Sequence, residues 1–319
     1  MQDRSSDSGL RFFIGCIASA LTVFMDAGAF ACIVVNDFAL PGWAEEHGFA
    51  LWVEWNGTAF LFDTGQGSAL AANLERAGAD PDRFQFVVIS HGHNDHTGGL
   101  SSFYRLLSRP VRLYAAPGTG RRRWSLSPPV TQNALRCAEA EAAAVSPREI
   151  SMPALSANLL GRLERGALFR SVGAFGEAAP GIFLTGPIPR RSGEDAGGAF
   201  FFDPEGNEPD TIPDEQAVIL SDGREGILIQ GCCHAGMINT LEYCRKMLPR
   251  IPIRTVVGGL HLVHADTERL RRTAEYLESS PVERIVPLHC TGRAGVEYLR
   301  RFWKSGVIDT HLAGECLYL

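Results

Sequence analysis

An α/β fold that carries its working residues at strand ends is predicted by three observations in this 319-residue chain. Short apolar, β-branched runs alternate with helix-period segments, the rhythm of layered α/β structure. Two pairs of these runs meet at Asn56-Gly57 and Asp222-Gly223, dipeptides that favour positive φ and so predict hairpins. Several of the runs end on histidine: Phe84 to Ile89 leads to His91, Gly226 to Gln230 to His234, Thr255 to Val257 to His261, and Arg284 to Leu288 to His289.

The elements follow in order. Cys32 to Val35 reads as a first strand, and Phe49 to Trp55 with Thr58 to Phe62 as the first hairpin, ending at Asp63-Thr64-Gly65. Leu70, Leu74 and Ala77 fall on one face of a helix closed by Gly78. After the Phe84 to Ile89 strand, residues 117–180 are irregular and broken by prolines, apart from a helix predicted over Ala134 to Ala144; this stretch reads as an insertion able to cover a pocket. Residues 191–213, rich in Gly, Asp, Glu and Pro, read as a loop. Ala217 to Leu220 pairs with Gly226 to Gln230, residues 237–248 and Thr267 to Leu277 read as helices, and Thr255 to Val257 and Arg284 to Leu288 as strands. No boundary stands out after residue 32, so residues 32–319 are expected to form one catalytic domain behind an N-terminal extension, 1–31.

Composition excludes some classes. Apolar residues at 45% and charged residues at 21% argue against disorder, and a net charge of −6 with no basic block argues against nucleic acid as partner. The eight cysteines of so long a chain do not read as a disulfide framework. Cys232, Cys233 and Cys290 stand beside histidines and read as thiols at a metal site in a reducing compartment; Cys137, Cys244 and Cys316 read as small buried hydrophobes. Residues 1–31 are ambiguous. The apolar run Phe12 to Met25 and the A-x-A-like Ala29-Phe30-Ala31 fit a signal segment, whereas Asp3 and Asp7 do not. The cytoplasm is the first reading, with export or membrane anchoring through this segment as the second.

The sharpest signal is His91-Gly92-His93-Asn94-Asp95-His96. Three imidazoles and a carboxylate so close together are costly to bury without a partner. They suit a divalent ion: zinc first, with manganese, iron and magnesium as alternatives. His91 and His93 can face one ion, and Asp95 with His96 a second about 3.5–4 Å away. Gly92, Gly98 and Gly99 permit close backbone approach.

H-x-H-x-D-H is the signature of the metallo-β-lactamase superfamily, which the chain resembles over residues 33–319. The resemblance implies a four-layer αββα sandwich. It implies that Asp63 braces a ligand histidine and that His234 and His289 complete the ligand set. Within the superfamily, Glu46-His47-Gly48, Leu61 to Gly65, Ser90 to His93, Asp95 to Gly99, Gly231-Cys232, His234 to Gly236, Gly258 to Leu262 and Pro287 to Gly292 occur in the order of the branch named for dihydropterin–ribofuranosylaminobenzene phosphate synthase. His261 then reads as a contact for substrate phosphate, and His47, His264 and His311 are set aside. One departure is that Gly231-Cys232 stands where many members carry Gly-Asp, the Asp bridging two metals. Cys232 is a thiolate donor at best, the site takes one or two ions, and Asp214 and Glu215 are stand-ins for the missing carboxylate.

The branch implies a transferase: a dihydropterin-methyl diphosphate joined to an aminobenzene ribofuranosyl phosphate, with pyrophosphate released. Arg190 and Arg191 would add phosphate contacts. The alternative is a hydrolase of an ester, phosphoester or lactone, with Asp95 as the catalytic group that orients water or accepts its proton. A metal-binding relic without activity is the third reading. In the two enzyme readings the partner is a small molecule.

Overall fold

The structure, a computed structural model, describes residues 29–126, 146–152, 161, 163, 165–166, 168–194 and 198–319. The helix expected over Ala134 to Ala144, Cys137 and the apolar run Phe12 to Met25 lie outside these residues. The strands are β1 (Ala29–Val35), β2 (Ala50–Trp55), β3 (Thr58–Phe62), β4 (Phe84–Val88), β5 (Arg112–Ala115), β6 (Trp124–Ser125), β7 (Arg148–Glu149), β8 (Phe169–Ser171) and β9 (Gly176–Ala179). They continue as β10 (Ile182–Leu184), β11 (Phe200–Phe201), β12 (Ala217–Ser221), β13 (Gly226–Gln230), β14 (Ile253–Gly258), β15 (Arg284–Pro287), β16 (Val307–Ile308) and β17 (Cys316–Tyr318). The helices are α1 (Leu70–Arg76), α2 (Asn94–Thr97), α3 (Leu100–Leu106), α4 (Met237–Met247), α5 (Thr267–Ser279) and α6 (Gly292–Phe302).

Two seven-stranded sheets, ordered β17-β1-β2-β3-β4-β5-β8 and β16-β15-β14-β13-β12-β10-β9, form the two inner layers. Alternation in β3 shows why. Phe60 and Phe62 face the second sheet and join Val218, Leu220, Ile229, Val257 and Val286 in the central core. Leu61, between them, faces outward with Trp52 and Val87 and is covered by Leu70, Leu74, Leu100 and Phe103 of α1 and α3. On the far side, Ile219, Leu228, Val256 and Ile285 lie under Leu241, Leu277 and Leu299 of α4, α5 and α6. Sheets with two apolar faces need helices on both outer sides, so the layers are αββα, as expected. Each fully buried phenylalanine contributes about 1.5–3 kcal/mol of transfer free energy to this core.

The Asn56-Gly57 hairpin forms with φ of 49° and 75°, and β12 and β13 pair as expected. Three readings need correction. β1 begins at Ala29, ahead of the expected boundary at Cys32, and Phe30 and Ala31 are fully buried in it. A cut after Ala31 would take both out of the core. Secondly, Cys32 and Cys316 face each other across the β1–β17 pair, Cα atoms 4.0 Å apart, and form a disulfide, so they are neither thiols nor simple hydrophobes. Thirdly, residues 191–213 are not all loop. Phe200 and Phe201 form β11, which joins β6 and β7 in a third, three-stranded sheet. The third sheet lies over the strand ends: Ser151 bridges His93, and Phe200 sits 4.9 Å from the His93 ring.

Candidate metal centre

Asp63, His91, Cys232, His261 and His289 each follow closely on a strand of the two large sheets, β3, β4, β13, β14 and β15 in turn. The backbone bends sharply there. Asp63, Cys233, His261 and His289 all have positive φ, from 46° to 64°. Side chains other than glycine rarely take this conformation, and such residues cluster where surrounding structure holds a functional group in place. The three glycines behave as expected. A Cβ on Gly92 would strike the Thr119 carbonyl, one on Gly98 the Gln66 backbone, and one on Gly99 the Thr64 carbonyl.

Asp63 is hydrogen-bonded into the cluster. One carboxylate oxygen accepts the Ser90 backbone N–H at 2.7 Å; the other accepts the Ser90 hydroxyl and lies 2.7 Å from His96 Nδ1. The Ser90 oxygen in turn lies 2.9 Å from His91 Nδ1. With Asp63 ionised, His96 carries its proton on Nδ1 and turns the Nε2 lone pair inward. Asp37 does the same for His289: its Oδ2 lies 2.7 Å from His289 Nδ1, while Asn36 Oδ1 accepts the His289 N–H.

The inward-facing atoms form two sets. His91, His93 and His234 make the first; Asp95, His96, Cys232 and His289 the second, with the donor atoms of each set within 4.8 Å of one another. In the second set His96 Nε2 lies 3.0 Å from Cys232 Sγ, and Asp95 Oδ2 lies 3.7 Å from His96 Nε2 and 3.3 Å from His289 Nε2. A tetrahedral ion with bonds of about 2.0–2.3 Å spaces its ligands by roughly 3.3–3.8 Å; the two Asp95 separations fall in that range, whereas His96 and Cys232 are closer and would move slightly apart to share an ion. His91 Nε2, His93 Nε2, both ring nitrogens of His234, and His289 Nε2 are buried without a hydrogen-bond partner. Several orphaned imidazole nitrogens turned to one place are what a divalent ion would satisfy.

The electrostatics agree. Burial, with the neighbouring imidazoles, pushes His91, His93 and His234 well below the ordinary histidine value, helped by Arg123 at the first two and by Arg190 at His234, so they are neutral and ready to ligate. At His96 burial also pulls downward, but Asp95 and Asp63 outweigh it and the net shift is upward. Asp95 is held well below the usual carboxylate range by His96, His289 and His47, against its burial. Burial and the neighbouring Cys290 push the Cys232 thiol up, so a cation among these donors is needed to hold it as thiolate.

The profile of the metallo-beta-lactamase superfamily matches residues 44–289. The chain belongs to that superfamily. Among its relatives, a protein of Methanocaldococcus jannaschii described as uncharacterized is 27% identical over 82% of this chain and 90% of its own. The 7,8-dihydropterin-6-methyl-4-(beta-D-ribofuranosyl)-aminobenzene-5'-phosphate synthase of the same organism is 25% identical over 79% of this chain and 83% of its own. Among solved structures, Tm1679, described as a metal-dependent hydrolase of the beta-lactamase superfamily, superimposes with a TM-score of 0.72 at 25% identity, over 91% of this chain and 99% of that one. The metallo-β-lactamase fold implies divalent metal binding, and among the described residues the two donor sets, with His261 beside Cys232 and His234 and with Asp37 and His47 beside His289 as further donors, could hold it.

Within this metallo-β-lactamase fold other expected residues have different places. Arg190 is turned to the main chain: Nη1 donates to the His234 carbonyl at 2.5 Å and Nη2 to that of Ile212. These bonds tie Arg190 to the loop that carries His234. Arg191 is exposed, and its backbone N–H is held by Asn239. Asp214 and Glu215 do not replace the missing carboxylate. Asp214 accepts from Arg123 and the Gly92 N–H; Glu215 accepts the N–H groups of His234 and Ala235. His261 lies beside the first set, its ring 4.3 Å from that of His234.

Sequence reasoning set His47 aside and passed over Asp37. Asp37 Oδ1 lies 2.6 Å from His47 Nδ1, and His47 Nε2 lies 3.5 Å from Asp95 Oδ2. One buried carboxylate thus orients two imidazoles toward Asp95. The quoted step Glu46-His47-Gly48 was the available signal for His47; Asp37 sits in no motif.

Proposed function

We propose that this protein is a metal-dependent enzyme acting on a phosphorylated small molecule, with condensation of a dihydropterin-methyl diphosphate and an aminobenzene ribofuranosyl phosphate as its reaction. The observation that carries the reading is Cys232 at the second donor set, combined with similarity to the named synthase along most of that protein's length. His91, His93 and His234 would hold one ion, and Asp95, His96, Cys232 and His289 a second; zinc suits these nitrogen, oxygen and sulfur donors. Bound there, divalent metal supplies positive charge where the leaving diphosphate becomes more negative.

The chain's own residues do the rest. In the condensation the methylene carbon bonds to the acceptor as its bond to the diphosphate oxygen breaks, and the acceptor gives up a proton. His47 and Asp95 are the cluster's groups with solvent-facing side chains, 30% and 14% exposed. Asp37 holds the His47 proton on Nδ1, so His47 Nε2 is free to take the acceptor's proton beside Asp95. Phe200, packed against His93 and 5.5 Å from His234, helps exclude water from the first set.

His47→Ala is expected to lower kcat about 10²-fold, within the usual range for a general base, while bound metal stays at the native level. Equal kcat in native and variant enzyme would remove His47 from this role. Cys232→Ser tests the second set without reference to activity. Cobalt-substituted native protein should show an intense near-ultraviolet thiolate-to-cobalt band that the variant lacks; the same band in both would take Cys232 out of the ligand set.

The reaction is tested by incubating metal-loaded enzyme with the dihydropterin diphosphate, with and without the aminobenzene acceptor, and following pyrophosphate and coupled product. Acceptor-dependent release of both supports the proposal. The similarity to a described hydrolase favours a second reading, hydrolysis of an ester, phosphoester or lactone. Acceptor-independent turnover of such compounds, with no coupling, would replace the first reading by it.

A further inference from the structure

A second cleft, of about 370 Å³, opens beside the metal centre and is lined by Gly193, Glu194, His264, Asp266, Arg269 and Arg272, among others. It shares a wall with the centre. Arg269 Nη2 donates to the carbonyl of Leu260 at 3.3 Å, and the next residue is His261, whose ring lies against His234. Arg272 Nη2 donates to the Ser192 carbonyl at 3.1 Å. Among the described residues, neither guanidinium has a carboxylate within ion-pair distance, whereas Arg271 between them is paired with Glu268 and Glu275.

The carboxylates of the cleft take their hydrogen bonds from other groups, although Glu194 also feels the charges of Arg269 and Arg272, and Glu268 that of Arg272. Asp266 caps α5 by accepting the Arg269 N–H at 2.8 Å. Glu268 is turned to Arg271 at 2.7 Å. Glu194 accepts the Ile238 N–H at 2.9 Å at the start of α4, and burial pushes its carboxyl up, toward the uncharged form. Arg269 and Arg272, in the first turns of a 13-residue helix, thus present two guanidinium groups to the cleft whose hydrogen bonds go to carbonyls and whose charges are offset in part by Glu194 and Glu268.

We propose that this cleft binds the phosphate of a phosphomonoester, the end of the substrate away from the bond that changes at the metal centre. The assignment rests on the reading of the substrate as phosphorylated. Guanidinium groups suit a phosphate dianion because their paired donors match its oxygens. Arg269, on α5, is tied to the carbonyl of Leu260 next to His261, so a molecule seated here would lie close to the first donor set.

The test uses the full-length, metal-loaded protein with ribose 5-phosphate and ribose as probes in titration calorimetry. Native protein should bind the phosphorylated sugar and not the free one. Arg272→Gln and Arg269→Gln should each weaken binding about tenfold or more, with metal content unchanged, and Arg272→Lys should recover part of the loss. Affinity that survives both glutamine substitutions but falls in His93→Ala would put the phosphate on the metals and overturn the assignment. Equal binding of ribose would overturn it as well. Neither result depends on the condensation, so failure of the coupling assay stays distinguishable from failure of the cleft.

Discussion

His93→Ala and His96→Ala are each expected to cost the protein an ion and its activity while leaving the fold intact. His93 belongs to the first donor set and His96 to the second, so each variant should lose metal mainly at its own position. Activity should fall by on the order of 10²–10³-fold or more, the cost of removing one group that stabilises developing charge. For His93→Ala the stability effect should appear only when metal is present, because His93 Nε2 has no partner that its removal would orphan. His96→Ala also leaves the buried Asp63 carboxylate without its Nδ1 partner, so it should lose some stability in a chelator as well. With free metal about a thousandfold above its dissociation constant, native protein gains about 4 kcal/mol from binding, which shifts its melting temperature upward. The variants should lose most of that gain. Metal analysis and melting curves with and without chelator check this, and native metal content in both variants would sink the ligand assignment.

The features legible in the sequence depend on near neighbours. The hairpin at Asn56-Gly57 was readable because two adjacent residues fix its turn, and the histidine cluster because its donors fall together after β4. His234 and His289 entered through the family resemblance, each placed after an apolar run. Asp37 was not, since its partner His289 lies 252 positions away and nothing local marks the pair. The Cys32–Cys316 link, 284 positions apart, was hidden for the same reason. Arg190 shows a different limit. Composition reveals a cation in a loop, but only the fold shows that its guanidinium donates to the His234 carbonyl. Helix α6 was passed over although its polar and apolar residues segregate strongly onto opposite faces; its opening on Gly292, directly after the His289 loop, masked where it starts.

Replacement of Asp63 separates bracing from ligation. Asp63 is fully buried and sits at φ 58°, a conformation that asparagine tolerates and alanine does not favour. Asp63→Ala should therefore lose about 1–2 kcal/mol to backbone strain. It should lose roughly 1–3 kcal/mol more because the buried Ser90 N–H is left without an acceptor. Asp63→Asn keeps the backbone and can still accept that N–H, so its urea midpoint should stay much closer to native. Its amide would set an N–H donor against His96 Nδ1 where the carboxylate accepted. The proton on His96 would then move to Nε2, the atom that faces Cys232 and Asp95, and the lone pair needed for the second ion would point the wrong way. Metal affinity at that position should fall about 10–100-fold, the usual cost of losing a group that orients a ligand histidine. Asp63→Asn would thus be nearly native in stability without metal and clearly weaker in binding it. Competition with a chelating dye measures the affinity, and native affinity in the asparagine variant would show that Asp63 does not set the His96 tautomer.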